Sequence, residues 1–234
     1  MILNYNNEII EVNIERTSRR TLSVSIKEDA SILVKAPKFL TDTKIRELLD
    51  KKADWIIEKR NIVKREQKNK IKRELTNGAT LPYLGKEYPM EIVSAKKSSV
   101  ELMTEGKIII KTSKDEKEDI QKLLKKWYKK QTKEITTKRI AYYTPIINVT
   151  VTSIDIKSRK KEWGSCDNHG NITFNWKLAM AKPEAIDYVV AHELCHRKHM
   201  DHSKQFWKEV EKYIPDYKER QNWLRENGVN LNIE

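Results

Sequence analysis

The sequence predicts an α+β protein, with a β-rich first half and a second half that combines helices with a small sheet. Apolar and polar residues mostly alternate through residues 1–112, whereas apolar residues recur mainly at helical spacing from residue 113 onward. Turn residues separate these segments at short intervals, and no internal repeat is present. We therefore expect a β-rich region, 1–112, that contains one helix at about 41–75, followed by an α+β region, 113–234.

The first region begins with predicted strands over residues 8–15, 21–27 and 31–36, where the alternation is clearest. The helix expected to follow is capped by Thr41 or Asp42 and becomes densely charged toward its end. A second group of strands is predicted at 81–93, 100–103 and 107–111, the last two forming a hairpin around Glu105-Gly106.

The second region is predicted to open with a long helix over residues 115–143, closed by Pro145. A strand at 149–156 and a hairpin at 162–176 follow. Three more helices are predicted, beginning at Pro183, after a cap at Ser203, and at Asp216. The β-containing segment thus precedes a cluster of short helices.

The net charge of +13 and the two cysteines bear on the partners of the protein and on its cellular compartment. The charge suits nucleic acid as a partner through a basic surface, carried by the runs Lys59–Arg73 and Lys122–Arg139, but lysines that dress solvent-facing surfaces explain it equally well. Two cysteines form no disulfide framework. With neither a leader pattern nor an apolar run long enough for a membrane span, we expect a cytoplasmic protein; the sequence specifies no oligomeric state.

Four of the five histidines fall between His192 and His202. On a helix, His192 and His196 are separated by about 40° of rotation and roughly 6 Å of rise, so their imidazoles point into one space, as two Zn²⁺ ligands must. Glu193 lies about 100° around the helix from His192, where it can activate a water molecule rather than bind the ion. This spacing predicts one zinc ion per chain with Glu193 as general base.

The third ligand is expected to be His202, because the six-residue step after His196 lets the chain leave the helix and return to the ion. Glu219, on a later helix, is the alternative, since zinc also accepts carboxylates. Three protein ligands leave the fourth position for water, which is typical of a catalytic zinc site rather than a structural one.

A wider set of motifs surrounds these histidines. It comprises Arg159-x3-Trp163-Gly164-Ser165-Cys166, Asn175-x2-Leu178, the segment Asp187–His196 and His202-Ser203-x2-Phe206-Trp207. Further motifs in the first half are Arg19-Arg20, Ala36-Pro37, Ala53-Asp54-Trp55 and Tyr83-Leu84-Gly85. Together they resemble the YgjP-like metallopeptidase family over nearly the whole chain.

The resemblance implies a zinc-dependent hydrolase with a small zincin-like core, consisting of an antiparallel sheet and an active-site helix. It assigns His192, His196 and His202 as metal ligands and Glu193 as the base. The chain is also similar to WLM and SprT-like peptidases, which include enzymes that degrade proteins crosslinked to DNA. That similarity gives the basic surface a use by analogy.

Four other residues are candidates for substrate or oxyanion contacts. Arg159 could stabilise an oxyanion or bind a substrate carboxylate, and Tyr213 and Tyr217 could serve the oxyanion. Trp163 is expected in a strand-end or turn element beside the cleft, in contact with substrate. The neighbouring Ser165 and Cys166 are poor nucleophile candidates, because the histidines that could act as their base are better explained by metal.

The function predicted from these residues is hydrolysis of peptide bonds in a protein or peptide substrate by metal-activated water. One alternative is hydrolysis of a non-peptide bond such as a nucleotide phosphoanhydride, although a Gly-rich phosphate loop is missing. Another is a basic nucleic-acid-binding module with structural zinc, which would leave Glu193 without a purpose.

Overall fold

The computed structural model describes residues 1–5, 8–114, 116–159 and 162–233. It divides into two compact units, Met1–Lys70 and Ile71–Glu234. Each unit combines sheet and helix, so the predicted α+β class is confirmed. None of the helices in the described ranges has the combination of length and apolar character that crossing a membrane requires.

The first unit is a four-stranded sheet followed by two helices. Strands β1 (Ile2–Tyr5), β2 (Glu8–Thr17), β3 (Ser23–Ile26) and β4 (Ile32–Pro37) lie in the order β1-β2-β4-β3. β2 and β4 are parallel, and the other pairs are antiparallel. The apolar residues of the sheet and the helices form one core, made of Ile10, Val12, Ile32, Val34, Ala36, Ile45, Leu49 and Ile56.

Two helices, α1 (Asp42–Asp50) and α2 (Ala53–Asn69), occupy the segment where one helix was predicted at about 41–75. Thr41 caps α1 by accepting a hydrogen bond from the Lys44 backbone N–H. At the break, the Lys52 N–H donates to the Leu49 carbonyl and the Lys52 carbonyl accepts from Ile56 N–H. The chain therefore turns without leaving these groups unbonded, and no Gly or Pro marks the break in the sequence.

The second unit begins with a sheet of four strands, β5 (Thr80–Tyr83), β6 (Lys86–Ser94), β7 (Ser99–Leu102) and β8 (Ile108–Thr112). Its order is β5-β6-β8-β7, and the predicted hairpin of β7 with β8 is present. The long helix α3 (Lys117–Ile147) shares a core with this sheet, and the Tyr128 hydroxyl donates to the Pro82 carbonyl at 2.7 Å.

The division into compact units therefore lies at Lys70, whereas the predicted boundary lay at 112–113. The change in periodicity at residue 113 marks a change from strand to helix within one core, since Leu81, Ile110 and Leu124 belong to the same apolar cluster. Periodicity reports the local element, and it carries no information on which elements share a core.

α3 continues through Pro145, which was predicted to close it. The proline stands in the last turn, so only one intrahelical hydrogen bond is lost there. Asn148 then ends the helix in the left-handed conformation, with φ of 59°, and its N–H donates to the Thr144 carbonyl. The predicted first residue of this helix, Asp115, lies outside the described residues.

A small three-stranded sheet and three helices complete the second unit. The strands are β9 (Ser153–Lys157), β10 (Gly164–Cys166) and β11 (Asn171–Asn175), in the order β10-β11-β9. The sheet is mixed rather than antiparallel, because β11 returns between its two predecessors, antiparallel to β10 and parallel to β9. A 3-10 turn (Trp176–Met180) leads to α4 (Pro183–Cys195), α5 (Lys204–Tyr213) and α6 (Tyr217–Asn227).

Candidate metal centre and cleft

Three histidines meet at the C-terminal end of α4. His192 lies in its last turn, His196 immediately follows the helix with helical dihedral angles, and His202 lies in the loop before α5. One ring nitrogen from each lies within 4.8 Å of the other two. Within the described parts of the chain, no other group of three or more His, Cys, Asp or Glu residues meets this criterion.

Helix α5 holds the loop so that His202 returns to the other two histidines. The Ser203 hydroxyl caps α5 by accepting from the Phe206 N–H, as predicted. Phe206 is fully buried, and its ring centroid lies 4.9, 4.5 and 4.9 Å from those of His192, His196 and His202. One aromatic ring thus packs against all three imidazoles and fixes their relative positions.

The environment keeps two of these imidazoles neutral. Burial, with the neighbouring imidazoles, lowers the pKa of His192 to about 3 and lowers that of His196. His196 Nδ1 lies 3.1 Å from the His199 carbonyl oxygen, so the proton on Nδ1 is held there and Nε2 is left as the ligand atom. Neutral imidazoles with one nitrogen fixed are the form that binds a divalent ion.

Glu193 is buried beside the histidines, with only 4% of its surface exposed. Burial, with the nearby Glu162 carboxylate, raises its pKa to about 8, while Arg159 acts in the opposite direction. Gly164 of β10 makes this position available, because a Cβ there would lie 2.6 Å from Glu193 Oε1 and 2.7 Å from its Cγ. The strand therefore approaches the carboxyl group as closely as a residue without a side chain allows.

The donor set fits one divalent ion. Three imidazole nitrogens converge, and two buried atoms beside them, His192 Nδ1 and Glu193 Oε2, have no hydrogen-bond partner among the described residues. Imidazole ligands suit zinc, copper, iron and nickel, and three of them leave room for water. Glu219, the alternative third ligand, is exposed on α6 and is not a member of this group.

A cleft of about 510 Å³ opens over the histidines. One wall is the segment from Glu162 to Cys166, which includes all of β10. The floor consists of the α4 residues Tyr188, Val189, His192 and Glu193, together with His196 at the end of this helix. Residues Gln221, Leu224 and Arg225 of α6 line it as well. A cleft of this size, with one polar cluster at its floor, has the form of a ligand site.

The four residues predicted from sequence as substrate or oxyanion contacts take different places. Trp163 lines the cleft. Arg159 is not among its lining residues; the guanidinium donates to Glu162 Oε2 at 2.9 Å and to Ser165 Oγ at 2.8 Å. Its positive charge partly offsets the rise in the pKa of Glu193, so Arg159 influences the site without lining the cleft.

The two tyrosines also lie outside the lining. The Tyr213 hydroxyl donates to Glu209 Oε1 at 2.8 Å, and the buried Tyr217 ring stacks on Trp207 at 5.3 Å between centroids. Tyr188 is the tyrosine that lines the cleft, and burial raises its pKa to about 12. It precedes His192 by four residues, a spacing from which its position on the same helix face follows.

The family comparison identifies the chain as a metal-dependent hydrolase, which agrees with this donor set. The model of one protein family, described as "YgjP-like, metallopeptidase domain", matches residues 20–227. The chain belongs to this YgjP-like family and is a metal-dependent peptidase, as the resemblance implied.

One solved structure is also similar, and its title reads "Crystal structure of the metallopeptidase zymogen of Pyrococcus abyssi abylysin". The two chains are 24% identical, the match covers 41% of this chain and 97% of the other, and the TM-score is 0.37. No curated protein matches the chain.

Proposed function

We propose that this chain hydrolyses peptide bonds using one Zn²⁺ held by His192, His196 and His202, with Glu193 as the general base. The observation that carries the proposal is the convergence of three ring nitrogens within 4.8 Å of one another, next to a buried carboxyl group outside that set. When bound, the ion supplies Lewis acidity, which polarises a carbonyl group and acidifies water.

Glu193 performs the proton transfers in this proposal. Its Oε2 atom is buried without a hydrogen-bond partner in the described part of the chain, so it can accept a proton from a water molecule in the cleft. Because burial raises the pKa of this carboxyl above its ordinary value, Glu193 can hold the proton that it takes and pass it to the leaving amine. One group therefore serves as base and then as acid.

The edge of β10 supports a peptide as the substrate. The Trp163 carbonyl accepts from the Asn175 N–H, and the Asp167 N–H donates to the Asn171 carbonyl. By antiparallel alternation, Ser165 is then the residue of β10 that is hydrogen-bonded to its partner, Thr173. The backbone groups of Gly164 and Cys166 are then directed away from β11, toward the open edge of the sheet. An extended peptide can pair with this edge as an added strand beside the three histidines.

Metal content and hydrolysis of casein, measured on the same preparations, test the proposal. We expect about one zinc per chain in the wild type and in Glu193→Gln, and loss of the metal in His192→Ala and His202→Ala. Casein hydrolysis should fall by about 10²–10⁴-fold in Glu193→Gln, which keeps its metal. His169→Ala is the matched control, since this histidine is exposed and is not one of the three converging histidines.

Retention of full zinc by His202→Ala would remove this residue from the ligand set. A wild type that binds no metal after reconstitution would overturn the whole proposal. Hydrolysis of nucleoside triphosphates but not of casein by the metal-loaded protein would keep the metal and the base and replace the substrate class.

A further inference from the structure

We propose that Arg225 of α6 recognises a carboxylate group on the substrate and so sets the specificity of the peptidase. The inference rests on the proposed function and deepens it, since it names the chemical group that the cleft prefers. Arg225 lies in the last turn of α6 and lines the cleft with Gln221, which precedes it by one turn on the same helix face. Its guanidinium is the positive charge among the side chains that line the described cleft.

Among the residues that the structure describes, Arg225 has no bonding partner, whereas the other arginines near the site do. Arg220 on the same helix bonds to Asp216, and Arg159 bonds to Glu162. Across the described ranges, no hydrogen bond, ion pair or ring contact involves the Arg225 guanidinium. Of the two acidic residues in the cleft lining, Glu193 is buried beside the histidines and Glu162 is paired with Arg159 at 2.9 Å.

Trp163 bounds the cleft next to Arg225. Its indole contacts Gly228 so closely that a Cβ on this glycine would lie 2.8 Å from Cζ2. Gly228 follows Arg225 by three residues, at the end of α6, so both lie at the same end of the cleft. Trp163 thereby joins the β10 wall to the α6 wall about one helical turn from Arg225.

A planar carboxylate is the ligand that best fits this position. A guanidinium presents paired N–H donors that match the two oxygens of a carboxylate. The carboxylate can come from an acidic side chain near the cleaved bond or from the free C-terminus of the peptide. Since Arg225 remains exposed, we expect a preference of about tenfold in kcat/KM rather than a larger one.

A matched peptide series tests the inference. A single Glu, or Gln in its place, is moved through the three positions on either side of the cleaved bond, and each peptide is made with a free and with an amidated C-terminus. The wild type should cleave carboxylate-bearing peptides about tenfold better, by kcat/KM, than their neutral counterparts. The pair of peptides that shows the preference identifies its source as side chain or terminus.

Arg225→Gln should lower kcat/KM for the carboxylate-bearing peptides to that of their neutral counterparts at full metal content, and Arg225→Lys should restore part of the preference. Arg220→Gln is the control on the same helix, because Arg220 bonds to Asp216 and to the Glu184 carbonyl and does not line the cleft. A wild type without preference, or an Arg225→Gln variant that retains it, overturns the inference.

Binding separates this inference from the proposed function. Fluorescence anisotropy of labelled peptides on metal-loaded Glu193→Gln measures the same preference without turnover. If the wild type cleaves no peptide, the proposed function fails, and an Arg225-dependent difference in binding still supports the carboxylate site. Equal binding of acidic and neutral peptides to Glu193→Gln and to its double variant with Arg225→Gln counts against it.

Discussion

The contact between Gly164 and Glu193 connects two segments that are almost thirty residues apart in the chain. The glycine lies in the cleft wall, and the glutamate lies on the helix that carries two of the histidines. Because the carboxyl group fills the space that a Cβ would occupy, the position of the proposed base depends on a missing side chain. The three histidines take no part in this contact.

Gly164→Ala should therefore lower the rate of hydrolysis without removing the metal. The added methyl group would lie 2.6 Å from Glu193 Oε1, so the carboxyl group must move by a fraction of an ångström or more. Displacements of this size at a reacting group cost up to about 10²-fold in rate, and we expect kcat to fall by between about tenfold and 10²-fold. Zinc content should equal that of the wild type.

Gly106→Ala provides the comparison for this variant. Nothing lies within 4 Å of a Cβ at Gly106, which stands in the β7–β8 turn with φ of 79°. The substitution costs about 1 kcal/mol in backbone strain and should leave hydrolysis unchanged. Unaltered hydrolysis by Gly164→Ala would show that the approach of β10 does not position Glu193.

Sequence spacing predicted the group of three histidines, because it follows from local geometry, and the motif that contains Trp163 led us to expect this residue beside the cleft. It did not predict the partners of Arg159 or the place of Arg225. Arg159 is directed by Glu162 and Ser165, and Arg225 by the packing of α6, and neither arrangement leaves a periodic signal. The roles assigned to these residues stay predictions.

Among the elements, the end of α4 is tied to the turn between β10 and β11 by Arg197, the residue after His196. Its guanidinium donates to the carbonyls of Thr150, Asp167 and Asn168, at 3.3, 3.4 and 2.9 Å. Gly170 lets this side chain pass, since a Cβ there would lie 3.1 Å from the guanidinium carbon. The helix and the cleft wall are thus held together at one point.

Arg197→Met should loosen this connection, since it keeps the length of the side chain and removes the donors. We expect a loss of about 1 kcal/mol in the free energy of unfolding, measured by urea denaturation, because the three bonds are partly exposed. The kcat/KM for peptides should fall as well, since β10 loses an anchor. Arg197→Lys should recover part of both; equal stability of the wild type and Arg197→Met would contradict this account.

The strands and helices of the second unit followed closely from the sequence, because caps and turns such as Ser203 and Glu105-Gly106 are local signals. The break between α1 and α2 and the passage of α3 through Pro145 did not. In both cases backbone hydrogen bonds compensate for the irregularity, and such compensation depends on atoms that a sequence pattern does not specify. The register that places β11 between β9 and β10 is also a tertiary property.

For the whole molecule, the two compact units have separate apolar cores. The cluster of the first unit lies entirely between Ile10 and Ile56, and that of the second lies between Leu75 and Ile233. The three converging histidines and the cleft belong to the second unit. Each unit thus has the core that independent folding requires.

Residues 71–234 produced alone should therefore fold and bind the metal. We expect cooperative thermal unfolding by circular dichroism and about one zinc per chain, as for the full-length protein. The same fragment with His202→Ala, folded but without zinc, is the control for specific binding. A fragment that shows no cooperative transition would mean that residues 1–70 are needed for the fold of the second unit.

The net charge of +13 belongs to the whole chain and does not by itself identify a partner. Some lysines of the run Lys122–Arg139 already have contacts, since Lys122 pairs with Asp119 and Lys130 with Glu134. Binding of nucleic acid and the cytoplasmic setting stay predictions from the sequence.

The shortness of β10 has a consequence for turnover. An edge strand of three residues offers backbone bonds only from Gly164 and Cys166, so the main chain of a bound peptide gains little affinity from it. The same shortness makes the edge a poor template for the strands of other molecules, which lowers its tendency to aggregate. With peptides bound at this edge as proposed, we expect products to be held weakly, so that their departure does not limit the rate.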